Sequence, residues 1–225
     1  MNNLDRLLAR PHPPTQTLAP GLHKLPIGGR RDSYLSVPSG YDPARPAPLA
    51  LLLHGAGGNA DDGLRVLLHL ADEAGLILVA PASQATTWDI IARGRYGPDL
   101  TLAAAALDFA FTHCAIDANR LAVGGFSDGA SYALSLGLNN GDLFSHVLAF
   151  SPGFTGPGTR RGQPRVFISH GTRDHVLPID PCSRTIVREL RGQGYPLLYR
   201  EFDGEHVIPP DVAQEAVDWF TGAVA

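Results

Sequence analysis

Clustered positive charge is missing from this chain of 225 residues. Lys and Arg number 18 against 22 Asp and Glu, the net charge is −4, and no polybasic run occurs. Neither nucleic acid nor an anionic membrane surface is therefore expected as a partner. Cysteine is scarce too. Cys114 and Cys182 form no metal-type pair, and two cysteines indicate no disulfide framework. No stretch approaches the ~18 unbroken apolar residues of a membrane span. Residues 1–10 carry Asp5, Arg6 and Arg10 and have no apolar core of signal length, so secretion is not suggested and a cytoplasmic location is expected. The glycine-rich turn at 54–59 lacks the Gly-Lys-Ser/Thr that a phosphate loop needs.

What is present is ordinary globular material, 44% hydrophobic and 18% charged, enough for one sizeable core. Residues 11–20 are proline-rich and read as extended, and 1–29 as a whole reads as a lead-in to a single domain over 30–225. An edge strand fits within 30–37. The prolines at 38, 43, 46 and 48 argue against helix or central strand over 38–48. From 49 onward, short, mostly apolar runs (49–53, 76–80, 121–123, 147–150, 166–169 and 197–202) alternate with helical candidates near 61–74, 100–113, 129–139, 181–192 and 211–221. Unbroken rather than alternating apolar runs mark strands buried on both faces. The alternation predicts a mostly parallel α/β sheet with helices on both faces, whose chemistry lies after the carboxyl ends of the strands.

One stretch organises the rest. Gly125-Phe126-Ser127-Asp128-Gly129 joins an apolar run to a helix-like run and fits G-x-S-x-G. A serine on so sharp a strand-to-helix turn needs a strained backbone, and the close approach of strand and helix leaves room only for glycine at both flanks. The following helix points free N–H groups at the serine. His54-Gly55-Ala56-Gly57-Gly58-Asn59 follows the run at 49–53; it is either a tight turn capped by Asn59 or Asp61, or a donor loop for an oxyanion. After the run at 166–169 come His170 to Asp174, which offer Asp174 as an acid. Asp180 is its rival, though it suits a helix entry. Among nine histidines, His206, in the loop after 197–202, is left by elimination. His54 and His170 immediately precede glycine turns and suit bracing roles. The order Ser127, Asp174, His206, each after a different strand, matches one of the known arrangements of a serine triad.

On His54-Gly55-Ala56-Gly57-Gly58, Gly125-Phe126-Ser127-Asp128-Gly129, His170-Gly171-Thr172-Arg173-Asp174 and Gly204-Glu205-His206, the chain resembles an α/β-hydrolase of the carboxylesterase/phospholipase/thioesterase-like group, near the dienelactone-hydrolase-like esterases. The resemblance covers roughly 30–221. Glu205 stands where a glycine is frequent before the histidine, and Ser127 replaces the cysteine nucleophile of the dienelactone type. The resemblance implies two-step acyl transfer with Ser127 as nucleophile, His206 as base and Asp174 as its orienting acid. The backbone N–H groups of Ala56 and Asp128 would form the oxyanion hole. No metal or organic cofactor is implied.

The substrate is less legible. Only residues 151–165 lie between two strands where a lid is usually inserted, so no lid domain is expected and a small soluble ester suits the open site. Trp88 and Phe154 are candidate pocket walls, and the Asp128 carboxylate would disfavour anionic substrates. A lysophospholipase, thioesterase or peptidase with the same triad remains open, as does a non-catalytic binding protein of the same fold. Either a monomer or a homodimer fits.

Overall fold

Residues 5–222 are described by a computed structural model. The apolar runs form six neighbouring strands of one eight-stranded sheet. Its strands are β1 (Gly21–Lys24), β2 (Tyr34–Val37), β3 (Ala47–Leu53), β4 (Ile77–Ala80), β5 (Ile116–Phe126), β6 (His146–Phe150), β7 (Arg165–Gly171) and β8 (Leu197–Phe202). The spatial order is β1-β2-β4-β3-β5-β6-β7-β8. β1 and β2, and β2 and β4, pair antiparallel; every other pair is parallel.

Successive residues of β3 feed opposite cores, because side chains alternate across a strand. Leu49, Leu51 and Leu53 join one apolar layer, Ala50 and Leu52 the other. The first layer is closed by α4 (Pro98–His113), α5 (Asp128–Asn139) and α6 (Thr185–Gly192). The second is closed by α1 (Ala60–Arg65), α2 (Leu68–Ala71) and α7 (Pro210–Thr221). A short α3 (Asp89–Arg93) and a π-turn (Asp180–Arg184) complete the elements. Both faces of the sheet are thus covered, as the unbroken apolar runs require.

Two local expectations need correction. Pro48 lies inside a central strand, β3, near its start. The register shifts between Ala47 and Leu49 there, so the missing proline N–H falls at an irregularity in the ladder. The helix expected over 61–74 is two short helices. Asn59 and Asp62 form a reciprocal capping box at the start of α1, and Leu67 leaves helical geometry at φ −133°, ψ 1°. After β4, the stretch 81–95 contains α3, ended by Gly94 at φ 65°.

The stretch before residue 30 is woven into the fold. It supplies β1, and Leu7, Ala9 and Leu25 are buried in the first core layer. Leu7 N–H donates to Asn140 Oδ1 (2.8 Å), and Asn140 Nδ2 donates to the Asp5 carbonyl (3.0 Å). Thr159 N–H donates to Asp5 Oδ2 (2.7 Å), and Arg6 and Arg10 both pair with Asp142. Residues 152–164, after β6, contain neither helix nor strand. Among the described residues no helix is long and apolar enough to cross a membrane.

Candidate active site

The turn between β5 and α5 carries Ser127 at φ 58°, ψ −120°, a conformation that costs a non-glycine residue of order 1–3 kcal/mol. Its surroundings hold it there. Ser127 N–H donates to the Phe150 carbonyl (2.9 Å), and Ser131 N–H reaches back to the Ser127 carbonyl (3.0 Å). The flanking glycines have a steric cause. A Cβ on Gly125 would stand 2.5 Å from the Leu53 carbonyl oxygen, and one on Gly129 would land on that same carbonyl. The strand, the turn and the first residue pair of α5 pack against the end of β3 with no room for a methyl.

Ser127, Asp174 and His206 come from separate parts of the chain to one point at the carboxyl ends of β5, β7 and β8. Ser127 Oγ lies 2.8 Å from His206 Nε2, and His206 Nδ1 lies 2.6 Å from Asp174 Oδ2. Read as one chain of donors, the Ser127 hydroxyl donates to Nε2 while Nδ1–H donates to the carboxylate. Asp174 is buried, and its other oxygen accepts from Val176 N–H (2.9 Å) and Leu177 N–H (2.8 Å). Burial pushes the Asp174 carboxyl up. The hydrogen bonds from His206, Leu177 and Val176 outweigh that and hold it below the ordinary carboxylate range, so it is anionic at neutral pH.

The acid and histidine loops are fixed to each other. Arg173 N–H donates to the Gly204 carbonyl (2.9 Å) and Thr172 N–H to that of Phe202 (2.9 Å). Gly171 has no room for a Cβ because the Gly204 and Glu205 carbonyls crowd it. A second histidine supports the acid. His170, wholly buried, has Nε2 2.7 Å from the Leu177 carbonyl and 3.1 Å from Asp174 Oδ2, while Nδ1 accepts from the Ser183 hydroxyl (2.5 Å). Burial pushes this imidazole below its usual range and keeps it neutral. Asp180, the rival acid, instead pairs with Arg184 on the surface (2.9 Å).

The turn after β3 lies beside the serine, with a Cβ on Gly55 only 3.5 Å from Ser127 Cβ. The Gly55 carbonyl accepts from His54 Nδ1 (2.7 Å) and Gly58 N–H (3.1 Å). In a trans peptide the C=O and N–H point opposite ways, so the Ala56 N–H of that peptide turns away from those partners, and Ala56 is exposed. Asp128 N–H, at the first position of α5, has no partner within the helix. Helix and turn thus each offer a backbone donor near Ser127.

The loop from Ser83 to Trp88, after β4, is stitched to this turn. Thr86 carbonyl accepts from Gly57 N–H (2.8 Å), His54 Nε2 accepts from Ser83 N–H (3.0 Å), and Trp88 Nε1 donates to the His54 carbonyl (2.8 Å). Trp88 stacks on Tyr132 with centroids 5.1 Å apart and is fully buried. As a core residue it offers no surface to a substrate and is not a pocket wall. Phe154 is 38% exposed, on a loop held along α5 by Gly153 N–H to Ser131 Oγ (2.8 Å) and Gly156 N–H to Ser135 Oγ (2.7 Å).

No family model matches the sequence. A protein of Aspergillus niger named "Probable feruloyl esterase C" is 27% identical over 172 residues, 73% of this chain and 61% of the relative. Its namesake in Aspergillus oryzae is 26% identical over 227 residues, 86% of this chain and 82% of that one. The chain therefore spans less than two thirds of the length of the first of these relatives. The crystal structure of S-formylglutathione hydrolase from Staphylococcus aureus superposes with a TM-score of 0.70 at 15% identity, covering 92% of this chain and 99% of that one. The chain has the α/β-hydrolase fold. Within that fold, Ser127, Asp174 and His206 meet in one hydrogen-bonded chain, whereas Trp88 lies in the core behind it. Three side chains around the site escaped the sequence reading: Arg31, Ser83 and Thr87. Thr87 immediately precedes Trp88. Arg31 had no signal, because its partners are mostly backbone carbonyls.

Proposed function

We infer that the protein is a serine hydrolase cleaving small carboxylic esters through an acyl-enzyme, with Ser127, His206 and Asp174 as its triad. The observation that carries this reading is the unbroken chain from Ser127 Oγ through His206 to a buried, anionic Asp174, at 2.8 and 2.6 Å. In the first half-reaction Ser127 Oγ bonds to the ester carbonyl carbon while its proton passes to His206 Nε2. The carbonyl oxygen becomes an oxyanion held by the N–H groups of Ala56 and Asp128. The C–O bond to the alcohol then breaks and Nε2 returns the proton to that oxygen. Water repeats the sequence on the acyl-serine and releases the acid. Asp174 keeps Nδ1 protonated and stabilises the imidazolium.

The absence of helix and strand over 152–164 supports an open site and hence small soluble esters. The names of the Aspergillus relatives add aromatic acyl groups of the feruloyl type to the candidates. Nothing in the step order calls for a cofactor. The test is hydrolysis of p-nitrophenyl esters from acetate to palmitate, with methyl ferulate alongside and Ser127→Ala as the control. Activity highest on short or feruloyl esters and lost in the variant supports the reading. A folded wild-type protein that hydrolyses none of them and takes up no fluorophosphonate would overturn it in favour of a binding module.

A further inference from the structure

The geometry points to Arg31 as the residue that positions the oxyanion turn, by locking it to the loop after β4. This rests on the hydrolase reading above. Arg31 follows Gly29 and Arg30 on the approach to β2, outside every sequence motif of the site. Its guanidinium makes five hydrogen bonds to two separate segments. Nη1 donates to the Gly58 carbonyl (2.7 Å), in the turn that carries Ala56. Nε and Nη2 donate to the Ser83 carbonyl (2.9 and 2.7 Å), and Nη2 also reaches Ser83 Oγ (2.6 Å) and the Ala85 carbonyl (2.8 Å). Ser83 Oγ in turn donates to the Ala85 carbonyl (2.8 Å).

These bonds matter because of what each segment does. An oxyanion donor must be fixed before charge develops, since a donor that has to reorient surrenders its advantage. On the Ala56 side, the preceding carbonyl is held by His54 and Gly58 N–H, and the following Gly57 N–H is held by Thr86. Thr86 is fixed only as well as its own loop is. That loop is anchored at Ser83 and Ala85 by Arg31, which grips Gly58 with its other nitrogen. A planar fork with donors on both edges suits three carbonyls in two directions; an ammonium on a flexible stem does not. Arg31 is thus a positioning residue that acts through the backbone of both segments.

The experiment uses the full chain with Arg31→Ala and Arg31→Lys. Steady-state kinetics on the best ester should show kcat lowered about 10- to 100-fold with KM within about twofold, somewhat less than the loss of a whole oxyanion donor. Arg31→Lys should stay near the alanine variant, and added methylguanidine should restore part of kcat to Arg31→Ala. Amide hydrogen exchange, which needs no activity, should speed up in both 55–58 and 83–87. Unchanged kcat in a folded Arg31→Ala overturns the proposal. So does faster exchange in one segment alone, or full recovery in Arg31→Lys. A wild type that neither hydrolyses esters nor labels with fluorophosphonate is a different result: it removes the hydrolase reading, while the exchange data still decide whether Arg31 bridges the two segments.

Discussion

Thr87 Oγ1 lies 2.5 Å from Asp128 Oδ2 and donates to it, tying the loop after β4 to the residue that follows Ser127. The bond holds a carboxylate beside the serine in a fixed place. An ester whose acyl chain ends in a carboxylate would meet that charge. For unit charges about 4 Å apart with water freely between them the penalty is about 1 kcal/mol, or about fivefold in rate. Asp128→Asn keeps an acceptor for Thr87 and removes the charge. It should raise kcat/KM for a p-nitrophenyl hemisuccinate relative to p-nitrophenyl acetate by about that factor. Comparing the two esters in wild type and variant checks this; an unchanged ratio removes Asp128 from selectivity.

Asp174 holds the His206 tautomer through Nδ1. Asp174→Asn keeps the shape but presents an amide that can donate to Nδ1, which turns Nε2 into a donor instead of a base. The expected loss is about 10⁴-fold in kcat, with the fold intact because Val176 and Leu177 still find an acceptor. Circular dichroism beside single-turnover kinetics separates the two readouts. A loss under tenfold would argue against a triad.

Ser127 sits at φ 58°, a conformation that costs a non-glycine residue. Ser127→Ala and Ser127→Gly both remove the hydroxyl, but glycine adopts this conformation without cost. Ser127→Gly should therefore unfold at higher denaturant than Ser127→Ala, by about 1 kcal/mol or more. Urea midpoints of the two inactive variants measure the difference directly. Equal midpoints would mean that the turn relaxes once its hydroxyl is gone.

Two buried groups away from the triad give the pH dependence of stability opposite signs. Burial, followed by the charge of Asp99, pushes the Asp89 carboxyl up to about 6. Its unfolded value is about 3.9, so the folded state binds more protons between these limits and stability falls as pH rises through them. Burial, then Arg165, pushes the His146 imidazole down to about 4, against about 6.5 unfolded. Here the unfolded state binds more protons, and stability rises with pH over the same window. Asp89→Asn should therefore gain on the wild type as pH goes from 4 to 6.5, and His146→Phe should lose its advantage over the same range. Each change is about 2–3 kcal/mol. Urea unfolding at pH 4, 5 and 6.5 checks both signs.

The parts of the fold legible in the sequence were those set by burial or sterics. β8 could be bounded at 197–202 because Gly194 and Pro196 precede its Leu-Leu-Tyr start and Asp203-Gly204 follow its Phe202 end, and the glycines at 125 and 129 announced a strand-helix contact too close for a side chain. Asp174 and His206 were found because each follows a strand, and strand ends converge in a parallel sheet. Trp88 misled because a tryptophan in a loop reads the same whether its indole closes a core or lines a pocket; only its stacking on Tyr132 decides. Pro48 misled because the rule against proline in a central strand yields at an irregular register. The grip of Arg31 was invisible for a plainer reason: four of its five bonds go to carbonyls that every residue has.

The contacts of residues 5–10 bear on how the chain reaches its native state. Leu7 meets Asn140 across 133 positions, and Asp5 meets Thr159 across 154. Closing loops of that length yields little until both ends are already in place, so such contacts form late in a folding reaction. On the ribosome the segment waits, unpartnered, while most of the sheet is synthesised. Leu7 and Ala9 stay uncovered during that interval. Until residues 140 and 159 are available, Leu7 lacks its backbone anchor and Asp5 its donor.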